Sequence, residues 1–132
     1  MSFSASTIIL VKQIRGKGLG VFAERDIAAD EIIERCPMLV MAKSEVWQVD
    51  SQLSRYVFTW GDGQVALALG YGSLYNHSFE PNARCEDRGR RCKQFIALRD
   101  IVAGEEITFN YNGSASDQSP VGFAVIEGDG RS

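Results

Sequence analysis

The sequence predicts an all-β domain carrying one short helix, and three observations lead there. Apolar residues fall in short runs rich in β-branched and aromatic side chains. Gly, Pro, Asp and Ser cut those runs at close intervals, and only one stretch has a helical period. A length of 132 residues suits one domain, and 45% apolar with 23% charged residues is the balance of a chain that buries a core.

In chain order, Thr7 to Ile14 (TIILVKQI) and Gly20 to Glu24 read as strands joined into a hairpin by RGKGLG. Glu31 to Arg35, Pro37 to Ala42 and Gln64 to Leu69 read as three further strands. Ser44 to Phe58 is the predicted helix, because Val46, Val49, Leu53 and Val57 recur every three or four residues. Ala83 to Asp87 and Arg90 to Leu98 form a second hairpin around Arg88-Gly89. That turn sets Asp87 opposite Arg90, Glu86 opposite Arg91 and Cys85 opposite Cys92, with two opposite-charge pairs favouring the register.

An internal echo crosses this pattern. AERDIAADEII at Ala23 to Ile33 returns as ALRDIVAGEEI at Ala97 to Ile107, with seven of eleven positions identical. Two similar strand-turn-strand units related by a pseudo-twofold axis are the expected result. From Asn112 the composition changes to NGSASDQS, then a brief apolar patch, Val121 to Ile126. Residues 1–111 are read as the domain and 112–132 as a tail, either a frayed terminus or a flap that brings Phe123 over a ligand.

Composition also excludes functions. Fourteen Lys and Arg against seventeen Asp and Glu leave a net charge of −3, so the basic excess that drives nucleic-acid binding is missing. No apolar run approaches the roughly 20 residues of a membrane span, and no membrane partner is expected. Cys36, Cys85 and Cys92 are too few for a disulfide framework and form no C-x-x-C pair, which suits an intracellular, reducing setting. With His77 the single histidine, no metal site is expected.

Taken one at a time, the chemical motifs are weak. Gly18-x-Gly20 has no third glycine and no helix after it, so it is a turn rather than a dinucleotide fingerprint. His77 in YNHSFEPN and Tyr111 after ITFN each have an ordinary structural reading, and the run Asp87 to Lys93 (DRGRRCK) reads first as a solvated hairpin tip and second as a contact for an acidic partner. Together they are more specific. RGKGLGVFAERDIAADEIIE, LGYGSLYNHSFEPNA and AGEEITFNY, in that order between Ile8 and Tyr111, resemble the SET-domain protein-lysine methyltransferases, and in particular compact viral and bacterial members without flanking domains.

The resemblance implies a β-clip fold in which the NHS segment threads beneath a later one as a pseudoknot. It implies S-adenosylmethionine as methyl donor on one face and a lysine channel opening from the other. By position, the main chain of Lys17, Gly18 and Leu19 would line the donor's methionine portion, Asn76 and His77 would hold its amino and adenine groups, and Tyr56 would contact it. Tyr111 would be the catalytic tyrosine, with Tyr71, Ser73, Tyr75 and Phe109 along the channel. Phe79 and Asn110 depart from the family's usual cysteine and aspartate, and NGSASDQ replaces a channel-closing acidic and aromatic stretch. The implied substrate is a basic protein or peptide such as a histone tail, approached from a cytoplasmic or nuclear location. The alternative is a non-catalytic module that binds a protein partner, and pairing into a homodimer would cover exposed strand edges. Phe109, two residues before Tyr111 on one strand face, would leave room for di- or trimethyl-lysine.

Overall fold

A computed structural model describes residues 2–46, 51–113, 116 and 118. Its first element is the expected hairpin. β1 (Ile9–Ile14) pairs antiparallel with β2 (Gly18–Ala23) from Ile9↔Ala23 to Ile14↔Gly18, and the Lys17 N–H closes the turn on the Ile14 carbonyl at 3.0 Å. Gly16 and Gly18 hold φ of 83° and 88°, conformations that other residues adopt at a cost.

The two strands expected between Glu31 and Ala42 are one, β3 (Ile32–Ala42). Pro37 is the point where β3 changes partner rather than a break. Up to Pro37 the strand pairs with β8 (Cys92–Ala97), and from Met38 onward with β5 (Gln64–Ala68). A missing N–H is tolerated where one ladder gives way to another.

The helix expected over Ser44 to Phe58 is corrected. α1 spans only Lys43–Val46, a 3-10 turn occupies Leu53–Arg55, and β4 takes Val57–Thr59, while residues 47–50 lie outside the described residues. Val57 and Phe58 pair with Leu67 and Ala66 of β5. Among the described periodic residues, β-branched Val57 joins the edge strand β4 against β5, whereas Val46 stays in α1.

The second hairpin forms in a different register. β7 (Ala83–Asp87) meets β8 with Cys85 opposite Phe95, Glu86 opposite Gln94 and Asp87 opposite Lys93, so Cys85 does not face Cys92. The connecting loop is residues 88–91, closed by Arg88 N–H to Cys92 C=O at 2.9 Å, rather than the two-residue turn. Because the shift is odd, it turns the opposite face of β8 toward the side chains of β7. Ala83, Phe95 and Ala97 thereby share the core. Burying a phenylalanine contributes about 2 to 3 kcal/mol, whereas an exposed ion pair contributes about 1 or less, so packing sets the register.

Two further short strands, β6 (Asn76–His77) and β9 (Glu106–Phe109), complete sheets of order β1-β2-β9-β6 and β4-β5-β3-β8-β7. The internal echo is a structural pseudo-twofold. Ile27 and Ile101 lie on its axis, each donating its N–H to the other's carbonyl at 2.8 Å. The flanking contacts repeat as well. Asp26 accepts from the Ala103 N–H at 2.8 Å and Asp100 from the Ala29 N–H at 2.9 Å, while Arg25 pairs with Glu31 as Arg99 pairs with Glu105.

Candidate active site

β9 is the strand on which the site is built, and the NHSFEPN segment fastens it. Asn76 and His77 pair in parallel with Thr108 and Phe109, and the Ser78 N–H continues the ladder to the Phe109 carbonyl at 3.1 Å. The chain then turns, and Asn82 grips β9 by donating to the Glu106 carbonyl at 2.7 Å and accepting from the Thr108 N–H at 2.9 Å. A buried side-chain amide satisfied at both ends makes an irregular segment as fixed as a strand.

Glu106 organises one half of the site. Its carboxylate is buried, with one oxygen 3.1 Å from the Lys17 ammonium and the other accepting from the Asn76 amide at 2.8 Å; that amide also donates to the Leu19 carbonyl at 3.0 Å. Gly20 lets these groups converge. A Cβ there would stand 2.5 Å from Ile14 Cδ1 and 2.8 Å from Glu106 Oε2. Lys17, Gly18, Leu19 and Asn76, separated by some sixty residues of chain, therefore form one cluster.

The other half is a cavity of about 460 Å³ whose lining includes Tyr56, Ser73, Tyr75, Phe109 and Tyr111. The Tyr111 hydroxyl donates to the Tyr75 carbonyl at 2.6 Å, and the Tyr111 N–H donates to His77 Nδ1 at 3.0 Å. Although 42% of Tyr111 is exposed, its hydroxyl end is sheltered, and burial, with the Glu106 charge and Tyr56 adding to it, pushes the phenol up to about 12. It is a protonated donor at neutral pH. Phe109 packs 5.0 Å from the Tyr111 ring and edge-on to Phe95 at 5.2 Å, so the two aromatics expected on one face do share the cavity.

Tyr75 contributes its carbonyl to this wall. Its phenol points into the core, stacked 3.9 Å from Phe95 and donating to Glu34 at 2.8 Å, where burial and that carboxylate hold its pKa well above the ordinary value. Glu34 also accepts from the Tyr71 N–H at 2.9 Å, which anchors the loop that presents Ser73 and Tyr75. Tyr71 itself is outside the cavity lining, and His77 is buried behind Tyr111, edge-on to it at 5.2 Å, where it orients rather than lines.

Sequence reasoning passed over Glu34, Asn82, Glu106 and Arg55, and took Lys93 only as part of the run from Asp87. Asn82 and Glu106 lie inside the quoted NHSFEPN and GEE motifs and were legible there. Glu34 left no local signal, since its partners are some forty residues away. Among the described residues no three His, Cys, Asp or Glu side chains cluster as metal ligands, and no helix is long and apolar enough to cross a membrane.

The donor set of the Lys17–Asn76 cluster suits a methyl donor with an amino-acid portion. With both Asn76 N–H groups spent on Leu19 and Glu106, the Leu19 carbonyl and the Asn76 Oδ1 are acceptors of the kind that hold an ammonium, and the α-carbon of Gly18 faces open space.

These features define a class, and comparison with known proteins agrees. The SET domain family matches residues 18–112, and the chain belongs to that family. It is 35% identical over 104 residues to a Schizosaccharomyces pombe histone-lysine N-methyltransferase specific for H3 lysine-37, covering 76% of this chain and 71% of that protein. It is 32% identical over 115 residues to human histone-lysine N-methyltransferase 2B, but spans only 4% of that much longer protein. The crystal structure of a candidate histone methyltransferase from Plasmodium falciparum superposes with a TM-score of 0.70 at 32% identity, covering 84% of this chain and 96% of that one. These relatives are eukaryotic, whereas the sequence motifs suggested viral and bacterial kin.

Proposed function

We propose that this chain is an S-adenosylmethionine-dependent protein-lysine N-methyltransferase acting on a histone or similar basic protein. The single observation that carries the reading is the Tyr111 hydroxyl held on the Tyr75 carbonyl in the wall of a cavity with room for a lysine side chain, with the Tyr111 backbone tied through His77 to the Asn76 cluster. Lys17, Gly18, Leu19 and Asn76 would hold the methyl donor, with Tyr56 beside it. Once bound, that donor supplies an electrophilic methyl group for in-line displacement.

The chain's own task is to present a neutral, aligned amine. A lysine in water titrates near 10.4, and a cavity whose described lining holds Arg55 and Lys93 and no carboxylate lowers that value. Because the Tyr111 hydroxyl spends its proton on the Tyr75 carbonyl, its oxygen is left to accept from the amine N–H and so aim the nitrogen lone pair. Phe109 and Tyr75, both buried, keep water from the reacting end. No general base is required of the protein.

The fission-yeast relative, most of whose length this chain spans, supports a compact SET protein. Relatives named for histone H3 support a nuclear site of action, and pairing into a homodimer and a lack of direct nucleic-acid binding stand as parts of the same proposal. The test is incubation with S-adenosylmethionine and purified histones, read by mass spectrometry. Wild type is expected to methylate lysine, and Tyr111→Phe to lose about tenfold or more while keeping its fold, the scale of one transition-state contact. A folded wild type that transfers no methyl group would favour the non-catalytic binding module instead.

A further inference from the structure

The run Asp87 to Lys93 is not a hairpin tip remote from the site. Lys93 lies in the cavity wall, its side chain 13% exposed and its ammonium 4.4 Å from the Phe58 ring centre and 5.4 Å from that of Trp60. Trp60 in turn donates its indole N–H to the Arg90 carbonyl at 3.0 Å. These contacts draw the 88–91 loop, with exposed Arg88, Arg90 and Arg91, beside the β4 side of the cavity, where exposed Arg55 stands on the rim.

Asp87 offsets Lys93 at 2.7 Å, but Arg55, Arg88, Arg90 and Arg91 make no ion pair among the described residues. Among the described residues, no Asp or Glu lines the cavity. In a chain of net charge −3, the described cavity lining carries Arg55 and Lys93, and the loop tethered through Trp60 adds three arginines to the neighbouring surface.

We propose that this basic rim recognises an acidic segment of the substrate next to the target lysine. The inference rests on the methyltransferase reading and adds a substrate class to it: a lysine with Asp or Glu among its neighbours, rather than one inside a Lys/Arg run. Guanidinium groups suit carboxylates geometrically, and several acting together set preference more than raw affinity, by attraction of acidic neighbours and repulsion of basic ones. A nucleic-acid duplex fits less well. Its phosphates extend beyond the rim over a chain whose net charge is −3, whereas a peptide whose lysine enters the cavity needs only the rim.

The experiment uses the full chain, S-adenosylmethionine and three peptides with the same target lysine flanked by Glu, Ala or Lys. Wild type is expected to prefer the Glu-flanked peptide over the Lys-flanked one by about tenfold or more in kcat/KM, mostly through KM and less so at high salt. The combined Arg55→Glu, Arg90→Glu, Arg91→Glu variant should reverse the order, and Arg55→Glu alone, at an exposed position, should narrow it. Methylation of all three peptides with no ranking, or a ranking unchanged in the charge-reversed variant, overturns the inference and leaves the methyltransferase reading standing. Competition by a DNA duplex that the variant escapes would overturn it in favour of a nucleic-acid surface. No methylation of any peptide by folded protein overturns both.

Discussion

The two copies of the internal echo begin alike and end in different roles. Residues 23–33 and 97–107 share the axial isoleucines Ile27 and Ile101, the crossed aspartates Asp26 and Asp100, and the Arg25–Glu31 and Arg99–Glu105 pairs. Beyond the shared part they diverge. The first copy runs into β3, whose Glu34 anchors the loop of residues 71–75 from beneath, and the second runs into β9, which delivers Glu106, Phe109 and Tyr111 to the site. One local hydrogen-bond pattern thus serves as scaffold twice, and the chemistry is decided by the few residues that follow it.

The comparison predicts separable effects. The largest concerns the axis: Ile27→Ala and Ile101→Ala, both at fully buried positions, should each cost about 2 to 5 kcal/mol in urea unfolding, and similar amounts, because each leaves a comparable cavity. Effects that differ by more than about twofold would show that the halves are not equivalent supports. Neither change should alter which methylated product the surviving folded protein makes.

The second effect lies only in the copy that reaches the site. Phe109→Tyr adds a hydroxyl to a side chain that lines the cavity, and that group or a water it holds fills space needed by an already methylated amine. A time course by mass spectrometry should shift from di- and trimethyl-lysine toward monomethyl-lysine, with the first transfer slowed by less than about threefold, since a partly filled pocket penalises only the bulkier amine. A wild type that stops at monomethyl-lysine with excess donor would defeat this prediction.

The smallest effect tests the one position at which the echo differs in backbone chemistry. Asp30 has φ of 68° where its counterpart Gly104 has 89°, so the first copy places an ordinary residue in the left-handed region. Asp30→Gly should raise stability by about 0.5 kcal/mol, and Gly104→Asp should lower it by about 0.5 to 1 kcal/mol; a Cβ on Gly104 meets nothing within 4 Å, so the loss is conformational alone. Thermal melts showing the opposite signs would mean that the Asp30 side chain contributes more than its backbone costs.

What the sequence determined by itself was whatever local chemistry dictates. The β1–β2 hairpin follows from its glycine turn, β5 and β7 from their composition, and the echo from two copies of one pattern. Tyr111, Ser73, Phe109 and Asn76 stood in motifs dense enough to identify the family. Tertiary structure decided what depended on a distant partner. Val57 has helical spacing with Val46 but joins an edge strand because β5 lies beside it, and Pro37 continues β3 because the strand changes neighbours there. Charge matching suggested one register for β7 and β8, and burial of Phe95 imposed another. Glu34 and Glu106 read as ordinary carboxylates until folding surrounds each with donors from remote segments, and the run from Asp87 reads as a solvated tip until Trp60 ties the Arg90 backbone beside β4 and Lys93 enters the cavity wall. The physical reason is the same in each case: propensity and turn chemistry act over a few residues, whereas burial and the pairing of buried charge are settled between segments that only the completed fold brings together.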